Sequence, residues 1–313
     1  MRVEKIFGER ANAHALSLRE ASKALARLAL GRGDLAHFFF QPNPRTSWAA
    51  RAIRRVRPRP TVHTVSSAPR RDGALRSLHF ADRTVVLSRA TERCLLEAGV
   101  HGVVRIPPAV APLEVPTELE RAETRAHFNL PNTEALITFP GDLERGAELA
   151  IHALAQVPDA VLALAYRNKT SRANDAEPRL KALAAAMGIA ARVRWIGETP
   201  RILSLLGASD VVVLPSRDLG AKVDLPLVLI EAMWQARPVI VARDGSAEEL
   251  AEGGAAIAIE TETDALAATL RSLLDDTIVR RAIGERARAA AIANHEPSRM
   301  AARYEALYDE LLT

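Results

Sequence analysis

The sequence predicts an α/β protein of two doubly wound domains, each with a parallel sheet. Strand-like apolar runs alternate with Ala- and Leu-rich helical patterns along the chain, which is typical of βαβ units. The length of 313 residues exceeds one ordinary core and fits two domains of roughly 100–200 residues each. Near-continuous apolar runs such as DVVVLP and RPVIVA indicate strands that are buried on both faces.

The first half of the chain contains four predicted strands and ends in a proline-rich segment. The strands are Asp34–Phe40, Thr61–Ser66, Arg83–Ser88 and Val103–Ile106, and the helices are Leu16–Leu30, Ser47–Val56 and Ala90–Ala98. Pro107–Pro116 holds four of the chain's 18 prolines. Because proline interrupts both ladders and helices, we interpret this segment as an interdomain linker.

The second half has a more regular alternation of strands and helices. The strands are Ala135–Phe139, Ala160–Tyr166, Arg192–Ile196, Asp210–Leu214, Pro238–Ala242 and Ala255–Ile259. The helices are Glu148–Ala155, Pro178–Met187, Pro200–Ala208, Leu227–Gln235, Ser246–Glu252, Asp264–Leu274, Val279–Ala293 and Ser298–Leu312. We place an N-terminal domain at 1–112, a C-terminal domain at 113–295, and a last helix at 296–313 that packs back toward the N-terminal domain.

Composition excludes several classes of protein. A hydrophobic content of 48% excludes a disordered chain, and no stretch approaches the ~18 consecutive apolar residues of a membrane span. The N-terminus lacks the apolar region of a secretory signal. One cysteine, Cys94, excludes a disulfide framework and a zinc site built from cysteines. We therefore expect a cytoplasmic protein.

The net charge of +4 conceals an asymmetry between the two halves. Residues 1–120 contain 20 Lys and Arg against 11 Asp and Glu, so the remainder of the chain is acidic. An anionic acceptor, or the inner face of an anionic membrane, would suit the basic half. A solvated arginine-rich surface without a partner explains the same composition.

The most informative window is Asp210–Gly245, which predicts a strand, a polar loop, a helix beginning at Pro226 and a second strand. The amide groups and dipole at such a helix start favour an anion. Glu231 follows Asp224 by seven residues, or two turns and ~10 Å along one face. Two carboxylates at that spacing, with Lys222 beside them, suit a nucleotide-sugar. The alternatives are that Asp224 caps the helix, Glu231 is solvated and Lys222 is a surface charge.

This window resembles the C-terminal half of the glycosyltransferase family 4 proteins, whose signature has a Glu, seven residues, a second Glu and then Ala-Met. The segment IEAMWQARPVI supplies the second half of that signature, with Glu231 as the second Glu. The similarity runs from about Glu134 to the C-terminus and includes VRWIGE, ASDVVVLPS, SAEELAEGG and EPSRMAARYEALYDELL.

The resemblance implies the GT-B fold, in which two Rossmann-like domains face each other across a cleft. The N-terminal domain is short for the family, so we expect it to be incomplete. The resemblance also implies retaining, metal-independent transfer from a nucleoside-diphosphate sugar, with no other cofactor. Glu231 would bind the ribose, and Gly197 and Glu198 would lie near the base.

The sequence departs from the family pattern where donor phosphates and sugar bind. Val223 stands at the first Glu position, so we assign the sugar contact to Asp224. PGDLERG places Asp142 at the position of a phosphate-binding Arg and Arg145 near that of a Lys. Cations that can compensate are Lys222, Arg167 and Lys169, although the last two also suit an exposed strand end. The predicted donor set is completed by Gly141 and Leu225.

Two polar loops in the first half are expected at the carboxyl ends of strands, where α/β sheets bind ligands. Asn43 and Arg45 in one loop, and Ser67 in the other, are candidates to contact the acceptor. Ser66 aligns with a histidine of the family, and we group it with Asp224 and Lys222 as candidate catalytic residues. His63 lies within a predicted strand and favours a structural role.

Three other functions remain alternatives with different weight. The altered motif is compatible with a catalytically inactive protein that binds a nucleotide-sugar or a partner. Nucleic-acid binding through RAIRRVRPRP is disfavoured, because the run lacks aromatic residues and matches no known module. A dinucleotide-dependent oxidoreductase is disfavoured because no G-x-G-x-x-G follows a predicted strand. The acceptor, whether a glycan, a lipid-linked sugar or a small molecule, is left open.

Overall fold

The computed structural model describes residues 26–27, 30–31, 33–67, 75–167, 171–217 and 224–313, without the side chains of 75 and 171–174. The chain forms two compact units. Unit 1 contains the chain up to Leu87, Thr91–Ile106 and Arg303–Thr313, and unit 2 contains Ser88–Ala90 and Pro107–Ala302. Each has a parallel sheet, which confirms the predicted fold class.

Unit 1 is built on a four-stranded parallel sheet in the order β1-β2-β3-β4. Its strands are β1 (Ala36–Phe39), β2 (Thr61–Val65), β3 (Arg83–Val86) and β4 (Val103–Arg105). Its helices are α1 (Pro44–Val56), α2 (Leu75–Leu78) and α3 (Arg89–Glu97). The four predicted strands are present, whereas α2 was not predicted. Most of the predicted helix Leu16–Leu30 lies outside the described residues.

Unit 2 is built on a six-stranded parallel sheet in the order β10-β9-β8-β5-β6-β7. Its strands are β5 (Ala135–Pro140), β6 (Ala160–Ala165), β7 (Val193–Trp195), β8 (Val211–Leu214), β9 (Val239–Ala242) and β10 (Ile257–Ile259). Strands β6, β8 and β9 are buried along their whole length. This burial is what their uninterrupted apolar sequences predict.

The helices of unit 2 flank its sheet, and the last one continues into unit 1. They are α4 (Glu118–His127), α5 (Ala147–Ala155), α6 (Ser171–Ala186), α7 (Ile202–Ala208), α8 (Leu227–Trp234), α9 (Thr263–Asp275), α10 (Thr277–Asn294) and α11 (Pro297–Leu312). Segments Ala190–Arg192 and Ser246–Gly254 are 3₁₀ helices. Within the described part of the chain, no helix combines the length and apolarity needed to cross a bilayer.

Several predicted helix boundaries were wrong; helix α1, for example, begins at Pro44 and not at Ser47, and three other cases have a clear cause. Helix α6 begins at Ser171, so Pro178 lies inside it and not at its start. Pro226 is the N-cap of α8 in an extended conformation, so the helix begins one residue later, at Leu227. The predicted α-helix at Ser246–Glu252 is part of a 3₁₀ segment with a kink at Glu252 and Gly253.

Helix α4 was missed because its sequence, ELERAETRAH, has no apolar stripe. Its N-terminus is fixed by a capping box between Thr117 and Glu120, a signal that the sequence does contain. Its packing is polar: Arg121 and Arg125 bind the two carboxylate oxygens of Asp210 at 2.9 and 2.8 Å. This helix is therefore held to the start of β8 by charge and not by an apolar face.

The C-terminal half of α11 is tied to the sheet of unit 1 by polar side chains. His37 on β1 hydrogen-bonds the Tyr308 hydroxyl at 2.7 Å, and Thr64 on β2 bonds the Tyr304 hydroxyl at 3.1 Å. His37 also bonds Thr64 at 2.7 Å, so the three contacts form one connected network.

Two further histidines are buried in unit 1. His63 is fully buried between Phe40 and Phe80, and its Nε2–H donates to the Phe40 carbonyl. Burial lowers the pKa of His63 to about 4, and burial together with the nearby Arg51 lowers the pKa of His79 to about 4. One ring nitrogen of each, Nδ1 of His63 and Nε2 of His79, has no partner among the described residues.

Acid should destabilise unit 1 through these two histidines. An unfolded chain takes up their protons near pH 6.5, whereas the folded unit does so only near the lowered values, so folding stability falls between pH 6.5 and about 4. We expect the protection factors of the β2 and β3 amides against hydrogen exchange to fall as the pH is lowered over this interval, and to fall less in H63Q and H79Q. An unchanged pH dependence in both variants would contradict this assignment.

Candidate functional site

The strand order of unit 2 determines where a ligand can bind. Strand β5 is followed in sequence by its neighbour β6 on one side, while β8 pairs with it on the other side. This reversal is a topological switch point, and such sheets bind ligands outside the carboxyl ends of their strands. A cavity of about 330 Å³ opens at this edge.

The cavity is lined by the residues that follow β5, β6 and β7 and by two helices. They are Pro140, Gly141, Asp142, Ala165, Tyr166, Arg167, Gly197, Glu198, Thr199, Ile202, Val228 and Glu231. Six residues of the predicted donor set therefore share one cavity: Gly141, Asp142, Arg167, Gly197, Glu198 and Glu231.

Glu231 projects from α8, a helix that is otherwise largely buried in the core. Its neighbours Ile230 and Ala232 are completely buried, and Glu231 itself is partly buried. Burial raises the pKa of Glu231 above the ordinary carboxyl value. A partly desolvated carboxylate accepts hydrogen bonds from hydroxyl groups more strongly than an exposed one does.

The ends of β6 and β7 are joined by backbone and side-chain contacts. Gly197 adopts a left-handed conformation (φ +69°), and its carbonyl accepts a hydrogen bond from Tyr166 N at 3.0 Å. Beyond these residues Arg167 and Glu198 form an ion pair at 2.6 Å, with each side chain about half exposed. Because the pair is exposed, it contributes little to stability and remains accessible to a ligand.

The loop between β5 and α5 turns sharply beside the cavity. The Asp142 carboxylate accepts from Glu144 N at 3.3 Å, and the Asp142 carbonyl accepts from Arg145 N at 2.9 Å. Gly146 then adopts φ +103°, and a Cβ there would lie 3.0 Å from the Pro215 carbonyl oxygen. Arg145 is partly buried and lies outside the cavity lining.

Two predicted residues before α8 lie away from the cavity. The Asp224 carboxylate is buried, with 6% exposure, and accepts from the Ser88 hydroxyl at 2.8 Å. The Asp224 carbonyl accepts from the Ser246 hydroxyl at 2.7 Å. Leu225 is completely buried in the core of unit 2. Lys222 and Lys169 fall outside the described residues.

Sequence reasoning missed Tyr166 as a cavity residue. Burial raises the pKa of Tyr166, and so does the hydrogen bond between its hydroxyl and Glu177 on α6. Glu177 also pairs with Lys181 at 2.7 Å, and the Lys181 ammonium lies 5.4 Å from the Trp195 ring centre. The strand-end rule applied to β6 would have identified Tyr166. Thr199, Ile202 and Val228 carried no comparable signal.

The predicted acceptor-side residues lie in unit 1, after β1 and β2. Asn43 caps α1, with its side-chain oxygen accepting from Thr46 N at 3.0 Å. Ser67 is buried and bonds Gln41 in both directions, at 3.1 and 3.3 Å. Arg45 is exposed and Ser66 is partly exposed, so both side chains are accessible.

A larger cavity of about 660 Å³ lies at the opposite, amino-terminal edge of the sheet of unit 2. Its arginines are already engaged. Arg121 and Arg125 bind Asp210, and Arg271 and Arg280 bind backbone carbonyls at helix ends. Because this cavity lies at the amino-terminal edge of the sheet and its arginines already have protein partners, it is disfavoured as the ligand site.

Comparison with solved structures identifies the fold class as GT-B. The chain is similar to HepE of Anabaena solved with UDP, at 20% identity and a TM-score of 0.83, covering 94% of this chain and 82% of that chain. It is also similar to a glycosyltransferase from Rickettsia africae, at 18% identity and a TM-score of 0.81, covering 98% and 84%. At these identities the likeness concerns the fold.

Residues 120–290 match the family described as "Glycosyl transferases group 1". This is more than half of the chain, which therefore belongs to that family. A curated relative, the GDP-mannose-dependent monoacylated alpha-(1-6)-phosphatidylinositol monomannoside mannosyltransferase of Corynebacterium glutamicum, is 29% identical over 185 residues. The match covers 55% of this chain and 46% of the relative, so it spans about half of that relative's length.

The turn at Gly146 should be sensitive to a single methyl group. Gly188 also has positive φ (+70°), but nothing lies within 4 Å of a Cβ added there, so G188A is the matched control. Both substitutions cost about 1–2 kcal/mol for the left-handed backbone, and G146A also crowds Pro215. We expect G146A to lose at least ~1 kcal/mol more than G188A in urea unfolding. Equal losses would show that the turn relaxes freely.

Proposed function

We propose that the chain is a glycosyltransferase that moves a sugar from a nucleoside-diphosphate sugar to an acceptor, with retention of configuration and without a metal or other cofactor. The observation that carries this proposal is the cavity at the switch point of unit 2. In a member of the Glycosyl transferases group 1 family, that cavity combines Glu231, Glu198 and Gly141.

The size and lining of the cavity support binding of the nucleoside part of the donor. Ligand pockets of ~300–1,000 Å³ hold molecules of this size. Glu231 would accept hydrogen bonds from the ribose hydroxyls, and the base would lie near Gly197 and Glu198. Ile202 and Val228 offer apolar contact to the nucleoside.

The diphosphate needs positive charge, and Asp142 opposes it at the cavity wall. Among the described lining residues Arg167 is the one cation. It would contribute, together with Arg145 and the sequence-assigned Lys169 and Lys222. The first two amides of α8, those of Leu227 and Val228, precede the hydrogen bond from Leu229 N to the Pro226 carbonyl and would donate to phosphate oxygens.

For the chemical step we propose that leaving diphosphate is stabilised by this preorganised positive charge. Retention without a carboxylate nucleophile would require front-face attack, in which a leaving phosphate oxygen takes the acceptor proton. We assign the donor-sugar contact to Asp224 and leaving-phosphate contacts to Ser66 and Lys222. Asn43, Arg45 and Ser67 would face the acceptor.

The comparisons suggest which donors to test first. The curated relative is named as GDP-mannose-dependent, and HepE was solved with UDP-glucose. We therefore choose GDP-mannose and UDP-glucose as the first probes. The acidic Asp142 also favours a second candidate, a protein that binds the nucleotide-sugar without transferring the sugar.

Replacing Glu231 should weaken donor binding. We expect E231Q to bind GDP or UDP about tenfold more weakly by calorimetry, because it removes a charged acceptor of hydrogen bonds. Burial raises the pKa of Glu231, so this carboxylate is protonated at a higher pH than an ordinary one as the solution is acidified. The affinity of the wild type for the nucleotide should therefore begin to fall at that higher pH. The control is E285Q, which changes an exposed carboxylate on α10.

The outcome separates three cases. Wild-type affinity in E231Q would remove this residue from the site. Nucleotide-sugar binding with no release of nucleoside diphosphate, tested with glycan and lipid acceptors, would favour the non-catalytic candidate. Loss of binding in E285Q as well would point to a general loss of folding.

Lys222 should act mainly on the leaving diphosphate. We expect K222A to lower the rate of nucleotide release by about tenfold or more, because a cation beside developing negative charge stabilises the transition state. A control variant is R281A, since Arg281 is an exposed cation on α10 and does not line the cavity. Unchanged release by K222A would show that other cations balance the charge.

A further inference from the structure

Helix α1 presents a basic and aromatic face to solvent. At 3.6 residues per turn, Arg45, Trp48, Arg55 and Val56 fall within roughly 100° of the helix circumference, so they share one side. Trp48 is 69% exposed and Val56 is 76% exposed, and both arginines are exposed. Within the described residues, no carboxylate forms an ion pair with Arg45 or Arg55.

The opposite face of α1 holds the helix rigidly to unit 1. Ser47, Ala50 and Ile53 are buried. Arg51 donates to the carbonyls of Ser77 and His79, and Arg54 donates to the Phe80 carbonyl and pairs with Asp82. The inner arginines are therefore used in folding, and the outer ones remain available.

The charge on this segment has one sign. From Asn43 to Pro60 the sequence contains six arginines and neither Asp nor Glu. Clustered arginines are attracted to the negative surface of a bilayer containing anionic lipid. An amphipathic tryptophan is stable at the level of the lipid headgroups.

We propose that the outer face of α1, defined by Arg45, Trp48, Arg55 and Val56, docks on an anionic lipid bilayer. The side chains of Trp48 and Val56 are largely exposed, which suits insertion among headgroups. A nucleic acid would need a basic groove with stacked aromatic side chains. The charge complementarity and the protruding Trp48 therefore favour the membrane.

The inference goes beyond the proposed sugar transfer, and it does not depend on the donor cavity. Helix α1 begins at Pro44, five residues after β1 ends at Phe39, and it directly follows the acceptor-side Asn43. Docking of this helix would bring the carboxyl edge of the sheet of unit 1 to the bilayer, where a lipid-linked acceptor is available.

Vesicle sedimentation of the full chain tests the proposal. We expect binding to vesicles of phosphatidylcholine and phosphatidylglycerol in equal amounts, and much less to phosphatidylcholine alone. W48S should weaken binding roughly tenfold and R55S about fivefold. Raised salt should release the protein, because the Debye length falls from ~10 Å at 0.1 M to ~3 Å at 1 M.

The matched control is I278S on α10. Ile278 is 81% exposed and precedes Arg280, which is anchored to the Leu273 and Leu274 carbonyls. I278S should bind vesicles like the wild type. Because Trp48 and Arg55 are exposed, circular dichroism should show intact folding in all variants.

Three results would overturn the proposal. They are equal binding to neutral and anionic vesicles, wild-type binding by both W48S and R55S, and an equal loss in I278S. Displacement of anionic vesicles by single-stranded RNA at comparable concentration would reassign this face to nucleic acid. Donor binding is measured without vesicles, so failure here leaves the sugar-transfer proposal unaffected.

Discussion

The pairing of β5 with both β6 and β8 is the constraint on which the site depends. Once these strands are hydrogen-bonded in that order, the connections that follow β5 and β8 leave in opposite directions along the sheet, and a crevice forms between them at the carboxyl edge. The buried strands hold the crevice open, because close-packed apolar cores resist deformation. Function in unit 2 therefore rests on the strand order.

The crevice places polar groups beside an apolar scaffold. Helix α8 carries Glu231 among completely buried neighbours, and the helix cannot rotate without exposing Ile230 or Met233. The orientation of the carboxylate is thus set by the hydrophobic effect. The Tyr166–Glu177–Lys181 contacts orient the opposite wall through hydrogen bonds and charge. Packing and polarity together preorganise the cavity.

The parts of the fold that could be predicted from sequence are those set by local pattern. Runs such as Val211–Leu214 are apolar throughout because they are buried on both faces, so their strands were predicted correctly. Helix α4 was not, because its contacts with Asp210 depend on a residue far along the chain. Pro178 misled the prediction of α6, since a proline usually marks the first turn of a helix.

The same distinction applies to the candidate site. The family resemblance and the search for compensating cations assigned Glu198, Gly141 and Arg167 to the donor set, and the three share one cavity because each lies at the carboxyl end of a strand in the same parallel sheet. Asp224 was assigned from its distance along a helix face, yet its carboxylate is oriented by Ser88, more than a hundred residues earlier. Tertiary partners of that kind leave no trace in local spacing.

The polar network between α11 and the sheet of unit 1 has a consequence for dissecting the molecule. A fragment ending after β4 would contain all four strands but lack Tyr304 and Tyr308, which leaves His37 and Thr64 without these hydroxyl partners. Unit 1 is therefore discontinuous in sequence, and a recombinant version requires the last eleven residues to be supplied in trans or fused by a circular permutation.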